Sequence, residues 1–205
     1  KVGTVQNVIN SSYSINKYSK FNTNLINAFG EWDNYIEDPN LDKVVIYNFR
    51  FLRFIKHYDK TGFLKSRFSY LLIFIFSFFP LLNLIRKQKP DFLIVHLISS
   101  LPLIIFDLFN FKTKLILHIA GHPKLNFFRK MLWKISSKNI FKVICPSNEL
   151  KKAFLDNDIF DEEQIKVIED PHLVIKKINR LKKQELEDSF FHGSRILIAI
   201  GRMTK

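Results

Sequence analysis

Six short apolar runs, separated by stretches with helical spacing, limit what this chain can fold into more than any other feature. The runs lie at residues 43–49, 91–96, 114–119, 141–145, 164–168 and 195–200. Each run is almost continuously apolar, a pattern typical of strands that are buried on both faces of a parallel sheet. We therefore predict an α/β fold with a Rossmann-like, doubly wound parallel sheet.

Two intervening segments carry specific helix signals. Between the third and fourth runs, four apolar residues recur at three- and four-residue steps, which predicts the apolar stripe of a helix. Ser147 lies directly after the fourth run and is a good N-cap for a helix over residues 149–154. Cys145 ends that run and is predicted to be a core residue rather than a reactive thiol. The four stripe residues are Leu125, Phe128, Leu132 and Ile135.

An uncharged apolar segment runs from Phe68 to Ile85, with basic residues on both sides. Its length just reaches that of a transmembrane helix. Pro80, which would interrupt a helix, and three polar side chains argue against a span. Because the segment leads straight into the run at 91–96, a buried crossover helix is the favoured interpretation. A helix lying on a bilayer and a true span are the alternatives.

The net charge of +13 indicates an anionic partner. No Asp or Glu occurs between Asp59 and Asp91, or between Asp107 and Glu149. These basic and aromatic stretches suit an anionic bilayer surface, although a solvated helix face has the same composition. Nucleic acid is the weaker expectation, because the basic residues are spread along the chain and no binding motif occurs.

Candidate chemistry lies at the predicted carboxyl ends of the strands, where open parallel sheets bind ligands. His96, His118 and His122 each lie at or just past such an end. In the loop after the third run, Gly121 permits close backbone approach, His122 can transfer a proton and Lys124 can neutralise a phosphate. A structural hydrogen-bonding role is the alternative for each histidine. The scattered histidines and single cysteine predict no metal site.

Four stretches of the chain carry a resemblance to a known family. They read KPDFLIVH at 89–96, KLILHIAGHP at 114–123, VICPSNEL at 143–150 and ILIAIGRMTK at 196–205. In this order they resemble motifs of the family-four glycosyltransferases of the GT-B fold. The resemblance implies an acceptor-side Rossmann-like domain over 1–170 and an inter-domain linker over 171–193. It also implies that 194–205 begins a nucleotide-sugar-binding domain.

The resemblance also implies roles for individual residues. Gly201 and Arg202 match the family residues that contact the donor phosphate. His118 or His122 would orient or deprotonate the acceptor hydroxyl, with His96, Gly121 and Lys124 as further acceptor-binding residues. The family transfers sugar with retention of configuration, usually without a metal, and uses the nucleotide-sugar as co-substrate rather than a cofactor.

Three departures from the family pattern limit these expectations. Ala120 stands where the family has a loop histidine before glycine. The family's first strand is not recognisable, and residues 17–29 are predicted to form the helix that follows it. The paired donor-site glutamates are expected beyond Lys205, so this chain alone is expected to be inactive.

The function expected from this resemblance is glycosyl transfer to a lipid-linked or saccharide acceptor in bacterial cell-surface polysaccharide, lipopolysaccharide or glycolipid biosynthesis. The expected location is the cytoplasm, with the enzyme peripheral on the inner face of the cell membrane. The alternative is a non-catalytic, membrane-associated protein that is anchored by the segment from Phe68 to Ile85.

Overall fold

The structure is a computed structural model and describes residues 3–28, 30, 33–35, 41, 44–49, 63–96, 99–169, 179–180 and 183. The chain divides into two compact units, Lys1–His172 and Leu173–Lys205. Nearly all described residues lie in the first unit. The predicted strand at 195–200, and with it the predicted start of a second domain, lies outside the described residues. So do all but three residues of the predicted linker.

The first unit contains two parallel sheets, which confirms the α/β prediction and is consistent with a Rossmann-like fold. Strands β1 and β2 form one sheet, and β3 to β6 form the other in the order β3-β4-β5-β6, with every pair parallel. The five apolar runs among the described residues each contain or form a strand. The strands are β1 Asn24–Asn27, β2 Val45–Asn48, β3 Phe92–Val95, β4 Lys114–His118, β5 Ile140–Cys145 and β6 Ile165–Val167.

Five α-helices are described, and three of them connect consecutive strands of the larger sheet. They are α1 Gly3–Tyr18, α2 Phe63–Gln88, α3 Ser100–Leu108, α4 Phe127–Ser136 and α5 Asn148–Leu155. The prediction of a helix over 17–29 is wrong, because α1 ends at Tyr18 and β1 follows at Asn24. This strand has only two apolar residues between asparagines, so its pairing with β2, rather than an apolar run, makes it a strand.

The main core lies against one face of the larger sheet. Leu115 and Leu117 of β4 are fully buried, as are Leu103 and Ile105 of α3. Among the described residues the other sheet face is more open. Ile94 of β3 points to that face, and 40% of its surface is exposed. The prediction that these strands are buried on both faces is therefore confirmed for one face only.

The apolar segment forms helix α2, which lies between β2 and β3 in the chain. Among the described residues these two strands belong to different sheets, so the predicted buried crossover within one sheet is not what the structure shows. The helix continues through Pro80, contrary to the prediction that this proline would interrupt it. Its stretch Tyr70–Gln88 is long and apolar enough to cross a membrane by length and composition, and only 28% of it is buried. One side packs into the core through Leu81, Leu82 and Ile85. The opposite side exposes Phe68, Leu71, Ile75 and Phe79.

Helix α4 confirms half of the predicted apolar stripe, because Leu125 and Leu132 pack against the core. Trp133 and Ser136 are its buried residues, whereas Phe128 and Ile135 are exposed. The Trp133 ring packs at 5.9 Å from the ring of Phe154 and 5.8 Å from that of Phe160. Burying this large ring decides the rotation of the helix, because Phe128 and Ile135 lie on the other side.

Two local predictions around β5 are confirmed. The Ser147 hydroxyl accepts a hydrogen bond from the Leu150 backbone N–H at 3.3 Å and so caps α5. Cys145 is fully buried in the core, and burial raises the pKa of its thiol. A raised pKa leaves less thiolate at neutral pH, which agrees with the structural role predicted for this cysteine.

Candidate functional site

Two of the predicted histidines meet at the carboxyl ends of neighbouring strands. His96 directly follows β3 and His118 ends β4, and the β3–β4 register pairs Val95 with Leu117, one residue before each histidine. Side chains at equivalent positions of paired strands point to the same side of a sheet. The two imidazoles accordingly lie with ring centroids 4.6 Å apart and with Nδ1 atoms 3.1 Å apart.

The separation of the two Nδ1 atoms fixes how the pair can be protonated. A hydrogen bond at this distance needs one Nδ1–H donor and one unprotonated Nδ1 acceptor. Burial, and secondarily the nearby charge of His118, lower the pKa of His96 to about 4. His96 is therefore neutral at pH 7. When His118 Nδ1 donates to His96 Nδ1, the neutral His118 ring carries its hydrogen on Nδ1, and its Nε2 is the basic nitrogen.

The histidine pair forms part of the wall of a cleft of about 350 Å³. Apolar side chains from the ends of β3 and β4 contribute to the wall, and the backbone of the following loop adds peptide groups. This combination of apolar wall and few polar groups is typical of small-molecule sites. The lining residues are Val95, His96, Ser99, Leu117, His118, Ile119, Ala120, Gly121, Pro123, Arg129 and Trp133.

Arg129 brings a positive charge to this cleft and was not among the sequence-predicted site residues. Its Nη1 donates to the Lys124 carbonyl oxygen at 2.8 Å, and its guanidinium lies 5.9 Å from the Trp133 ring centroid. Its backbone N–H donates to the side chain of Asn126, which caps α4. A guanidinium held in this way can pair with an anionic group of a ligand.

Trp133 and Ser99 join the cleft through tertiary packing. The Trp133 indole Nε1–H donates to the Ser99 hydroxyl oxygen at 3.3 Å and so links α4 to the start of α3. In the sequence the two residues are 34 positions apart. The only available signal was the Arg129–Trp133 spacing of four residues, which places a cation beside an aromatic ring on one helix face.

The remaining predicted residues separate into three groups. Gly121 lines the cleft, and a Cβ atom built there would meet nothing within 4 Å, so neighbouring atoms do not require a glycine. His122 and Lys124 are exposed and lie outside the cleft lining. Gly201 and Arg202 lie outside the described residues.

His122 is instead electrostatically coupled to Glu149 in the first turn of α5. The pKa of this carboxyl is lowered, first by a hydrogen bond from its own backbone N–H, then by the Ser147 hydroxyl, and also by the charge of His122. Among the described residues, no group of three or more His, Cys, Asp or Glu is placed to hold a metal ion.

The lowered pKa of His96 predicts a pH-dependent stability. Below its unfolded-state pKa of about 6.5, the unfolded chain binds a proton that folded His96 does not bind until the pH approaches 4. We therefore expect the free energy of unfolding to fall by about 1–3 kcal/mol as the pH drops from 7 to 4.5. Urea denaturation of the wild type and of His96→Gln across this pH range measures this fall. An equal fall in both proteins would contradict its attribution to His96.

Compared with models of known families, with curated proteins and with solved structures, the chain has no significant match. The grounds for a function are therefore the sequence motifs and the geometry of the histidine cleft.

Proposed function

We propose that this chain is the acceptor-side part of a retaining glycosyltransferase of the GT-B fold, of the family-four type. The enzyme moves a sugar from a nucleotide-sugar donor to a lipid-linked or saccharide acceptor in cell-surface polysaccharide, lipopolysaccharide or glycolipid biosynthesis. The observation that carries the proposal is the His96–His118 pair, held 3.1 Å apart at the carboxyl ends of two parallel strands and facing a cleft. This edge is where open α/β sheets bind their ligands.

In the proposed enzyme, His118 acts on the acceptor hydroxyl. Its Nε2 accepts a hydrogen bond from the hydroxyl and orients or deprotonates it as the glycosidic bond forms. His96 accepts from His118 Nδ1 and fixes the ring, much as an outer-shell partner fixes a ligand histidine. As His118 gains a proton, its Nδ1–H becomes a stronger donor to neutral His96.

The assignment of donor-binding residues rests on the resemblance of residues 196–205 to the glycosyltransferase motif. In this proposal Gly201 and Arg202 bind the donor diphosphate, and the Arg202 guanidinium stabilises the charge that develops on the leaving group. The nucleotide-sugar is a co-substrate, and the mechanism uses no further cofactor. On the acceptor side, Gly121 contributes from the cleft lining, Lys124 binds the acceptor from outside that lining, and Arg129 adds a cation for an acceptor that carries phosphate.

The proposed location is the cytoplasm, with the protein peripheral on the inner face of the cell membrane. A net charge of +13 favours an anionic membrane surface as a partner. A lipid-linked acceptor would be available only there. Nucleic acid has no role in this proposal.

A second candidate is a non-catalytic protein that is anchored in the membrane by α2. The observation in its favour is the exposed apolar side of this helix, where Phe79 keeps 67% and Ile75 keeps 51% of their exposure. Purified protein that binds membranes but releases no nucleotide from any sugar donor would support this candidate.

The test of the proposal is a transfer assay with the full-length parent protein. Incubated with a panel of nucleotide-sugars and a bacterial lipid extract, the protein is expected to release nucleoside diphosphate only when its own donor is present. We expect Arg202→Ala to weaken donor affinity about 10–100-fold, since it removes a charge-assisted hydrogen bond. Arg180→Ala, at an exposed arginine, is the matched control. Unchanged donor affinity in Arg202→Ala would overturn the donor-site assignment.

A further inference from the structure

Helix α4 exposes an apolar face that the histidine cleft does not use. The exposed fraction of the residue surface is 73% for Phe127, 74% for Phe128, 46% for Met131 and 55% for Ile135. At about 100° per residue, these four side chains occupy an arc of about 100° on the helix surface. Trp133 and Ser136 occupy the opposite, buried side. Two adjacent phenylalanines with this exposure form a patch of the kind that marks an interaction site.

The charges along this helix and its two flanks are all of one sign. Residues 124–138 contain five basic residues and no Asp or Glu. Three of the lysines, Lys124, Lys134 and Lys138, are exposed before, beside and after the apolar arc. An aromatic, apolar face bordered by lysines is the signature of a helix that lies in the interface of an anionic bilayer.

Helix α2 also has exposed apolar residues but lacks this combination. Its exposed side chains Phe68, Leu71, Ile75 and Phe79 fall within the uncharged stretch of residues 68–85. The basic residues of α2, which are Lys65, Arg67, Arg86 and Lys87, lie near its two ends, outside that stretch. Charge complementarity to an anionic surface therefore favours α4 over α2 as the element that contacts lipid.

Helix α4 also contributes residues to the cleft. Arg129 and Trp133 line the cleft, and Phe128 is the immediate neighbour of Arg129. These two cleft residues lie on the side of α4 that is turned away from the apolar arc. The exposed face and the cleft are therefore separate features of one helix and can be tested by separate substitutions.

We propose that the exposed face of α4 docks the protein onto an anionic phospholipid bilayer. Phe127, Phe128, Met131 and Ile135 enter the boundary between headgroups and acyl chains, and the flanking lysines bind anionic headgroups. The inference rests on the membrane location within the proposed function, but it does not depend on sugar-transfer chemistry.

The test is flotation of the chain with vesicles made of equal parts phosphatidylcholine and phosphatidylglycerol. We expect the wild type to float with these vesicles, to bind pure phosphatidylcholine weakly, and to be released by high salt. Phe127→Ser combined with Phe128→Ser is expected to lower the partition coefficient about tenfold or more. Phe79→Ser, the same substitution at one exposed phenylalanine of α2, is the control and is expected to bind as the wild type does.

Several results would overturn the proposal. Undiminished flotation of the double variant, or loss of flotation in Phe79→Ser alone, would exclude the α4 face. A lipid-free dimer in sedimentation velocity that the double variant abolishes would assign the face to a second copy of the chain. Salt-sensitive binding to RNA but not to vesicles would assign it to nucleic acid. If flotation behaves as expected but the parent protein transfers no sugar, the docking surface stands and the glycosyltransferase proposal fails.

Discussion

Replacing His118 with alanine is expected to lower the turnover number of the full-length enzyme about 10²–10⁴-fold, which is the usual contribution of a positioned acid–base group. The expectation follows from the place of His118 in the cleft wall and from its hydrogen bond to His96. Donor affinity should change little, because the donor contacts are proposed to lie elsewhere. Steady-state kinetics with the identified donor and acceptor measure both quantities.

The matched control is His122→Ala in the same loop. His122 is exposed and lies outside the cleft lining, so we expect its removal to change turnover only a few-fold. His96→Gln should lower turnover about 10–100-fold and shift the pH profile, because it disturbs the partner of His118 rather than the reacting group. Full activity in His118→Ala, or its loss in His122→Ala, would move the acceptor function from the histidine pair to the loop.

The second large effect concerns stability. We expect Phe154→Ala to lower the free energy of unfolding by about 3–5 kcal/mol, the range for removing a buried phenylalanine ring. Phe154 is fully buried, and its ring meets Phe160 edge-on at 5.5 Å and Trp133 at 5.9 Å. Because typical domains are stable by about 5–15 kcal/mol, this loss would be a large part of the total. Urea denaturation followed by circular dichroism measures it.

Phe128→Ala provides the comparison for Phe154→Ala with the same change of side chain. Phe128 keeps 74% of its exposure, so we expect its removal to alter the free energy of unfolding by no more than about 0.5 kcal/mol. Equal losses in the two variants would show that the core does not depend on the aromatic cluster. Phe154→Leu, which retains much of the volume, is expected to be less destabilising than Phe154→Ala.

The strands of the larger sheet could be predicted because a buried parallel strand needs apolar side chains within its own short segment, and these can be read directly from the sequence. The run at 114–119 is apolar at four of its six positions, and β4 forms there as Lys114–His118. Helix caps are equally local, because the Ser147 hydroxyl accepts a hydrogen bond from the backbone N–H of Leu150, only three residues later. In contrast, β1 has two apolar residues between asparagines, and only the neighbouring β2 makes it a strand.

The sequence by itself determined the α/β class, five of the described strands, the helix between β2 and β3, and the positions of His96 and His118 at strand ends. The tertiary structure alone decided that His96 pairs with His118, that Arg129 and Trp133 join them, and that α4 buries Trp133 and exposes Phe128. The physical reason is distance along the chain. Periodicity and capping act over a few residues, whereas the β3–β4 register joins residues 22 positions apart and Trp133 reaches Ser99 across 34.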